Sequence, residues 1–114
     1  MARKRQILPD RWNSYFDAFS RDHKEQAVSV EVYGEDIGKE IIVHDMPLQH
    51  LGYIRGDQQG GALIISFGYE RTELAHVIQA PEAIWEVGGK SGQVHSLEII
   101  DSHDILSVII LNKA

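Results

Sequence analysis

Six histidines, His23, His44, His50, His76, His95 and His103, are the residues whose number first invites a chemical reading of this 114-residue chain. A zinc or iron site built on one element would place two of them two, three or four positions apart, on one face of a strand or helix. None is so spaced, and there is no His-Glu-x-x-His run. Scattered surface or hydrogen-bonded histidines are the simpler reading. His23 falls at the end of a predicted helix, where an imidazolium offsets the negative end of the helix dipole. No metal or other cofactor is expected.

Other chemistry-bearing patterns fall short on spacing. Gly88-Gly-Lys-Ser-Gly92 has the composition of a phosphate loop, but lacks a glycine five positions before the Gly-Lys pair. Strand-like residues follow it, so no helix N-terminus would face a phosphate. None of the serines sits in a Gly-x-Ser-x-Gly elbow. Asp101 and Asp104 could form a carboxylate pair, but they bracket a four-residue turn that explains both. No catalytic residue is assigned. Three residues remain as candidates for a ligand site. His76 and Glu86 could act as an acid–base pair at one end of a sheet. Trp85, like Tyr53, could stack a base or sugar ring; packing in the core is the simpler reading of Trp85.

The elements that must position these residues centre on one helix. Trp12, Tyr15, Phe16 and Phe19 recur at i, i+3, i+4 and i+7, which predicts a helix over 8–24 with four rings on one face. Pro9 and Asp10 suit its first turn; Arg21, His23 and Lys24 suit its last. Beyond it the period drops to two. Val28, Val30 and Val32 mark a half-buried strand, and Ile41 to Val43 a second one, paired with it as a hairpin. Pro47 is expected to break that run, because it cannot donate to a ladder. Strands follow over 49–55, 62–67, 73–79 and 82–87, the last with Ala83, Trp85 and Val87 in phase; Glu31, Glu86 and Glu98 read as outward positions. The closing hairpin, 93–100 and 105–111, ends in the most apolar run of the chain, so a central strand is expected there. The fold class is α+β: an N-terminal amphipathic helix on a curled antiparallel sheet, or a small barrel, of six to eight short strands. Residues 1–7 are expected to be a disordered basic terminus, and 8–114 a single domain.

Composition excludes several functions. With no cysteine there can be no disulfide, iron–sulfur cluster, thiolate zinc site or cysteine nucleophile. No run approaches the ~20 apolar residues of a membrane helix, and Pro9 and Asp10 cut off any signal-peptide core, so a cytoplasmic location is expected. The net charge is −6, and without Arg3, Lys4 and Arg5 the remainder carries −9. A body of that sign repels a phosphate backbone and disfavours nucleic acid as partner.

The run Trp12-x-x-Tyr15-Phe16-Asp17-x-Phe19-Ser20-x-x-His23 resembles the opening of a family of short, uncharacterised bacterial proteins known only as a domain of unknown function. The likeness continues at Met46-Pro47-Leu48, at Leu51, and at His76-x-Ile78-x-x-Pro81, so it covers nearly the whole chain. It implies a small domain with a leading helix and supplies no activity. Three readings follow. A non-enzymatic binding or assembly module would use an exposed edge or apolar patch to form homo-oligomers or to hold a protein partner. A small enzyme or ligand-binding barrel would place His76 and Glu86 in a pocket. An Sm-like nucleic-acid binder shares the helix-then-strands order, against the charge.

Overall fold

The structure, a computed structural model, describes residues 3–56, 60–69, 72–88 and 93–112. Eight strands and one helix follow in the order β1 (Arg3–Ile7), a 3-10 turn (Pro9–Arg11), α1 (Trp12–His23), β2 (Ala27–Gly34), β3 (Gly38–Ile54), β4 (Ala62–Tyr69), β5 (Thr72–Gln79), β6 (Pro81–Gly88), β7 (Val94–Asp101) and β8 (Leu106–Leu111). All pairings are antiparallel, in the spatial order β1-β6-β7-β8-β2-β3-β4-β5. The expected helix is present, and β8 lies inside the sheet between β7 and β2. The chain is mostly sheet, so α+β describes it only loosely.

The barrel alternative is overturned. β5 and β1 are the two outer strands and do not pair, so the sheet stays open. It is nevertheless strongly rolled. β5 and β6 stand near opposite ends of the strand order, yet Ala80 alone connects them. Ala80 sits at φ +48°, donates its N–H to the Gly61 carbonyl at 2.7 Å and accepts from Ser102 N–H at 3.0 Å, drawing the two halves together at one end.

β3 holds the halves in one sheet. Residues Gly38–Pro47 pair with β2, and Leu48–Ile54 pair with β4. Pro47, expected to end a strand, lies within this one. It stands opposite Ala27, the first residue of β2, where the ladder with β2 ends and a missing N–H leaves little unmade. Past that point β3 has a free edge, and the C-terminal part of α1 fills the place of a strand. Ser20 Oγ donates to the Leu51 carbonyl at 2.8 Å and accepts the Leu51 N–H at 2.9 Å. Glu25 N–H reaches the Leu48 carbonyl, and Leu48 N–H reaches that of Gln26. Buried backbone groups that a neighbouring strand would have satisfied are thus paired with the helix and its exit.

The ring face of α1 lies over this junction. Trp12, Phe16 and Phe19 are buried, Tyr15 partly so, in one cluster with Leu48, Leu51, Ile65, Leu97, Ile99 and Ile109 from the sheet. Trp12 meets Tyr53 edge-on at 5.1 Å between ring centroids.

The basic start is not a free tail. Arg3–Ile7, expected to be disordered, pairs in full register with β6, from Arg3 opposite Gly88 to Ile7 opposite Ile84. Trp12 Nε1 donates to the Ile7 carbonyl at 2.9 Å and fixes the end of this strand to the start of the helix. Residues 1–2 lie outside the described residues. So do 57–59, 70–71, 89–92 and 113–114; most of the Gly88-Gly-Lys-Ser-Gly92 run falls there.

Candidate functional site

Alternation along β6 decides where the candidate residues point. Ile84 is fully buried and faces Ile99; Glu86, two positions on, faces buried Leu97. Both lie on the inner side of the sheet, so Glu86 is not the outward position expected. Trp85 lies between them and points the other way, opposite Glu98. It belongs neither to the core cluster nor to the side chains packed against it, which overturns the core reading of Trp85.

On the inner side, Glu86 Oε2 accepts the Tyr15 hydroxyl at 2.6 Å, and Arg5 Nη2 lies 3.4 and 3.5 Å from the two carboxylate oxygens. Burial raises the Tyr15 hydroxyl pKa, and its bond to the Glu86 carboxylate raises it further. The phenol therefore stays neutral and donates. This pair pins α1 to β6. His76 is far along the strand order, on outer strand β5, opposite Ile65. Partial burial lowers its pKa and favours the neutral imidazole. No hydrogen bond joins His76 to Glu86 among the described residues. The carboxylate proposed as half of an acid–base pair is instead occupied by Tyr15.

One constellation mimics a nucleophile site. Ser29 Oγ lies 3.3 Å from His44 Nδ1, and Asp45 is adjacent. The same oxygen accepts Asp45 N–H at 3.1 Å and Asn112 Nδ2 at 3.0 Å, so both lone pairs are engaged. Asp45 Oδ1 accepts from Asn112 rather than orienting the imidazole. A hydroxyl so held cannot attack a carbonyl. It closes the bulge where β2 slips register against β3 between Val28 and Val30. Asp101 is likewise structural: its Oδ1 accepts the N–H groups of His103 and Ile105 across the turn. Among the described residues no group of three or more His, Asp or Glu could hold a metal ion.

What remains is a surface. Strand β8 is apolar on both sides. Ile109 and Leu111 enter the core, while Leu106, Val108 and Ile110 point outward. Across from them on β7 and β6 stand Ile100 and Trp85, outside the core cluster as well. The main helix contact is with β3, so no helix covers this outer face among the described residues. The charges around it are paired on both flanks. Val108 has Glu98 opposite it on β7 and Glu31 opposite it on β2. Lys4 lies 2.9 Å from Glu98 and 5.0 Å from the Trp85 ring centre; Lys39 lies 3.8 Å from Glu31 and 5.9 Å from the Tyr33 ring centre. Each flank is thus a lysine, a glutamate and an aromatic ring, with an apolar strand between. Sequence spacing showed the apolar run of 105–111 but not this frame, because every pairing in it crosses strands.

No helix among the described residues is long and apolar enough to cross a membrane. No solved structure matches the chain. An uncharacterized protein of Aquifex aeolicus (strain VF5) is 27% identical over 108 residues, covering 95% of this chain and 91% of its own length. The model of a family of unknown function matches residues 3–114, nearly the whole described chain, in agreement with the resemblance carried by the helix rings and by Met46-Pro47-Leu48. The chain belongs to that family, DUF5335.

Proposed function

We propose that the protein is a non-enzymatic assembly module that pairs with a second copy of itself through the outer face of β6, β7 and β8. The half-buried row of Trp85, Ile100, Leu106, Val108 and Ile110, outside the core cluster on a face that no helix covers among the described residues, carries this reading. A contiguous apolar patch framed by polar groups is the anatomy of a protein interface. The frame argues for a second copy. The chain as a whole is acidic, yet each flank of this face pairs one lysine with one glutamate. Two such faces therefore meet without the repulsion that the rest of the surface imposes, and the like arrangement of the flanks suits a two-fold axis near β8. Trp85 is the natural anchor, since buried Trp side chains dominate interface energies.

A nucleic-acid reading has less support. The chain is acidic, and Lys4 of the basic cluster is held close to Glu98, at 2.9 Å.

Sedimentation equilibrium of the full chain at roughly tens of micromolar, above the ~1 μM dissociation constant worth about 8 kcal/mol, tests the proposal. The expected result is a dimer that Val108→Lys converts to a folded monomer and that Trp85→Ala weakens by about tenfold or more. A wild-type monomer at that concentration overturns it, as does a dimer that Val108→Lys leaves intact.

A further inference from the structure

The corner where β1 meets the helix holds a cavity of about 360 Å³, lined by Arg5, Gln6, Ile7, Leu8, Arg11, Ser14 and Tyr15. Its size is at the small end of ligand pockets. We propose that this corner binds a small organic oxyanion, a carboxylate or phosphate carrying a short apolar part, with Arg5 and Arg11 as its cationic partners.

Three observations converge on it. The first is charge. Two arginines line one small cavity in a chain of net charge −6, and Asp10, next to Arg11, is not among the lining residues. Arg11 makes no ion pair among the described residues. Arg5 has one partner, Glu86, at 3.4 Å, the long end of a charge-assisted bond. The Tyr15 hydroxyl lies closer to that carboxylate, at 2.6 Å, and the guanidinium reaches it only through Nη2, so Arg5 keeps donors for another acceptor.

The second is rigidity. Trp12 Nε1 holds the Ile7 carbonyl, and Arg11 N–H holds that of Leu8 at 2.9 Å. With Arg5 held in register opposite Glu86 on β6, the backbone beneath both arginines is fixed before any ligand arrives, which lowers the ordering cost of binding. The third is an exposed apolar side chain. Leu8 is 56% exposed at the cavity lip, beside buried Ile7. A wall of that kind fits the short hydrocarbon part of an organic acid, while the two planar forks fit its oxygens. This site stands apart from the outer face of the sheet and does not depend on dimerisation.

Amide chemical-shift titration of the full chain with inorganic phosphate, acetate and hexanoate tests it. Saturable shifts confined to residues 5–15 are expected, with hexanoate tighter than acetate because of Leu8. Saturation by phosphate in place of the carboxylates supports the same site and names a phosphate ester as ligand. Arg11→Gln is expected to weaken binding by about tenfold or more, with Arg11→Lys restoring part of it, since lysine keeps the charge and loses the fork. Arg11 is exposed and its substitution leaves the core untouched, so the variant's amide spectrum should keep its dispersion. Shifts that never saturate, that spread over the whole surface, or that are unchanged in Arg11→Gln overturn the proposal.

Discussion

At the scale of single residues, the Tyr15–Glu86 bond ties the helix to β6. A hydroxyl donated to a half-buried carboxylate is a charge-assisted bond, and its loss leaves that carboxylate with only a long contact to Arg5. Tyr15→Phe is expected to lower stability by about 2 kcal/mol in urea unfolding, and Glu86→Gln by less, because an amide oxygen still accepts the proton. The same bond sets an alkaline limit. Tyr15 has its pKa raised in the folded state, chiefly by burial and then by Glu86. Below about pH 10, the ordinary tyrosine value, the phenol is neutral folded or unfolded and its contribution is present in full. As pH rises further, only the unfolded chain releases this proton freely, so stability falls. Tyr15 should not ionise until the chain unfolds, and ultraviolet titration should show a late step that is lost in Tyr15→Phe. A titration profile unchanged in its late part by Tyr15→Phe would contradict this account.

At the scale of elements, the helix does more than cap a sheet: its Ser20 and its exit residues occupy the free edge of β3 where β2 stops. Ser20→Ala leaves both the N–H and the C=O of Leu51 without that partner in a buried place, which is expected to cost about 3 kcal/mol, read as a lower urea midpoint with unchanged slope. Ser20→Thr, which keeps the oxygen, should cost less. A wild-type midpoint in Ser20→Ala would mean that the edge is satisfied some other way. This contact also marks the limit of what could be read from the chain alone. The ring spacing of Trp12, Tyr15, Phe16 and Phe19 is a local signal and gave the helix; the apolar density of 105–111 gave the central strand. β1 was missed because Arg-Lys-Arg-Gln-Ile has a single apolar residue, and its partner β6 lies some eighty positions away. The phase of β6 was misread for a related reason. Ala83, Trp85 and Val87 look like a buried set, but Ile84 is the residue that enters the core, and a strand apolar on both faces carries no phase of its own. Trp85 was therefore picked out as a residue and placed on the wrong side, and Glu86 likewise. The lysine–glutamate flanks of the outer face exist only once β1, β2, β3 and β7 are in register, so nothing local could announce them.

At the scale of the whole molecule, an open sheet has two edges, and this one treats them differently. β1 carries Arg3, Lys4 and Arg5, the kind of edge that refuses a further strand. β5 has no comparable guard: from Glu73 to Gln79 its one carboxylate is at the start, Leu74 is 49% exposed and Val77 42% exposed, and the partly buried His76 tends to the neutral form. Unpaired strand edges with exposed apolar side chains template further pairing. That hazard is separate from the dimer proposed for the outer face, which is a saturable contact between two faces; pairing along β5 has no such limit once neighbouring chains open on heating. Val77→Lys places a cation on this edge without entering the core, since Val77 lies opposite Ile64 on the side away from buried Leu63 and Ile65. Light scattering during a thermal ramp is expected to show later and weaker aggregation in Val77→Lys, with the sedimentation dimer unchanged. The reverse pattern, an intact aggregation profile with a lost dimer, would move the self-association surface from the outer face of β8 to the β5 edge.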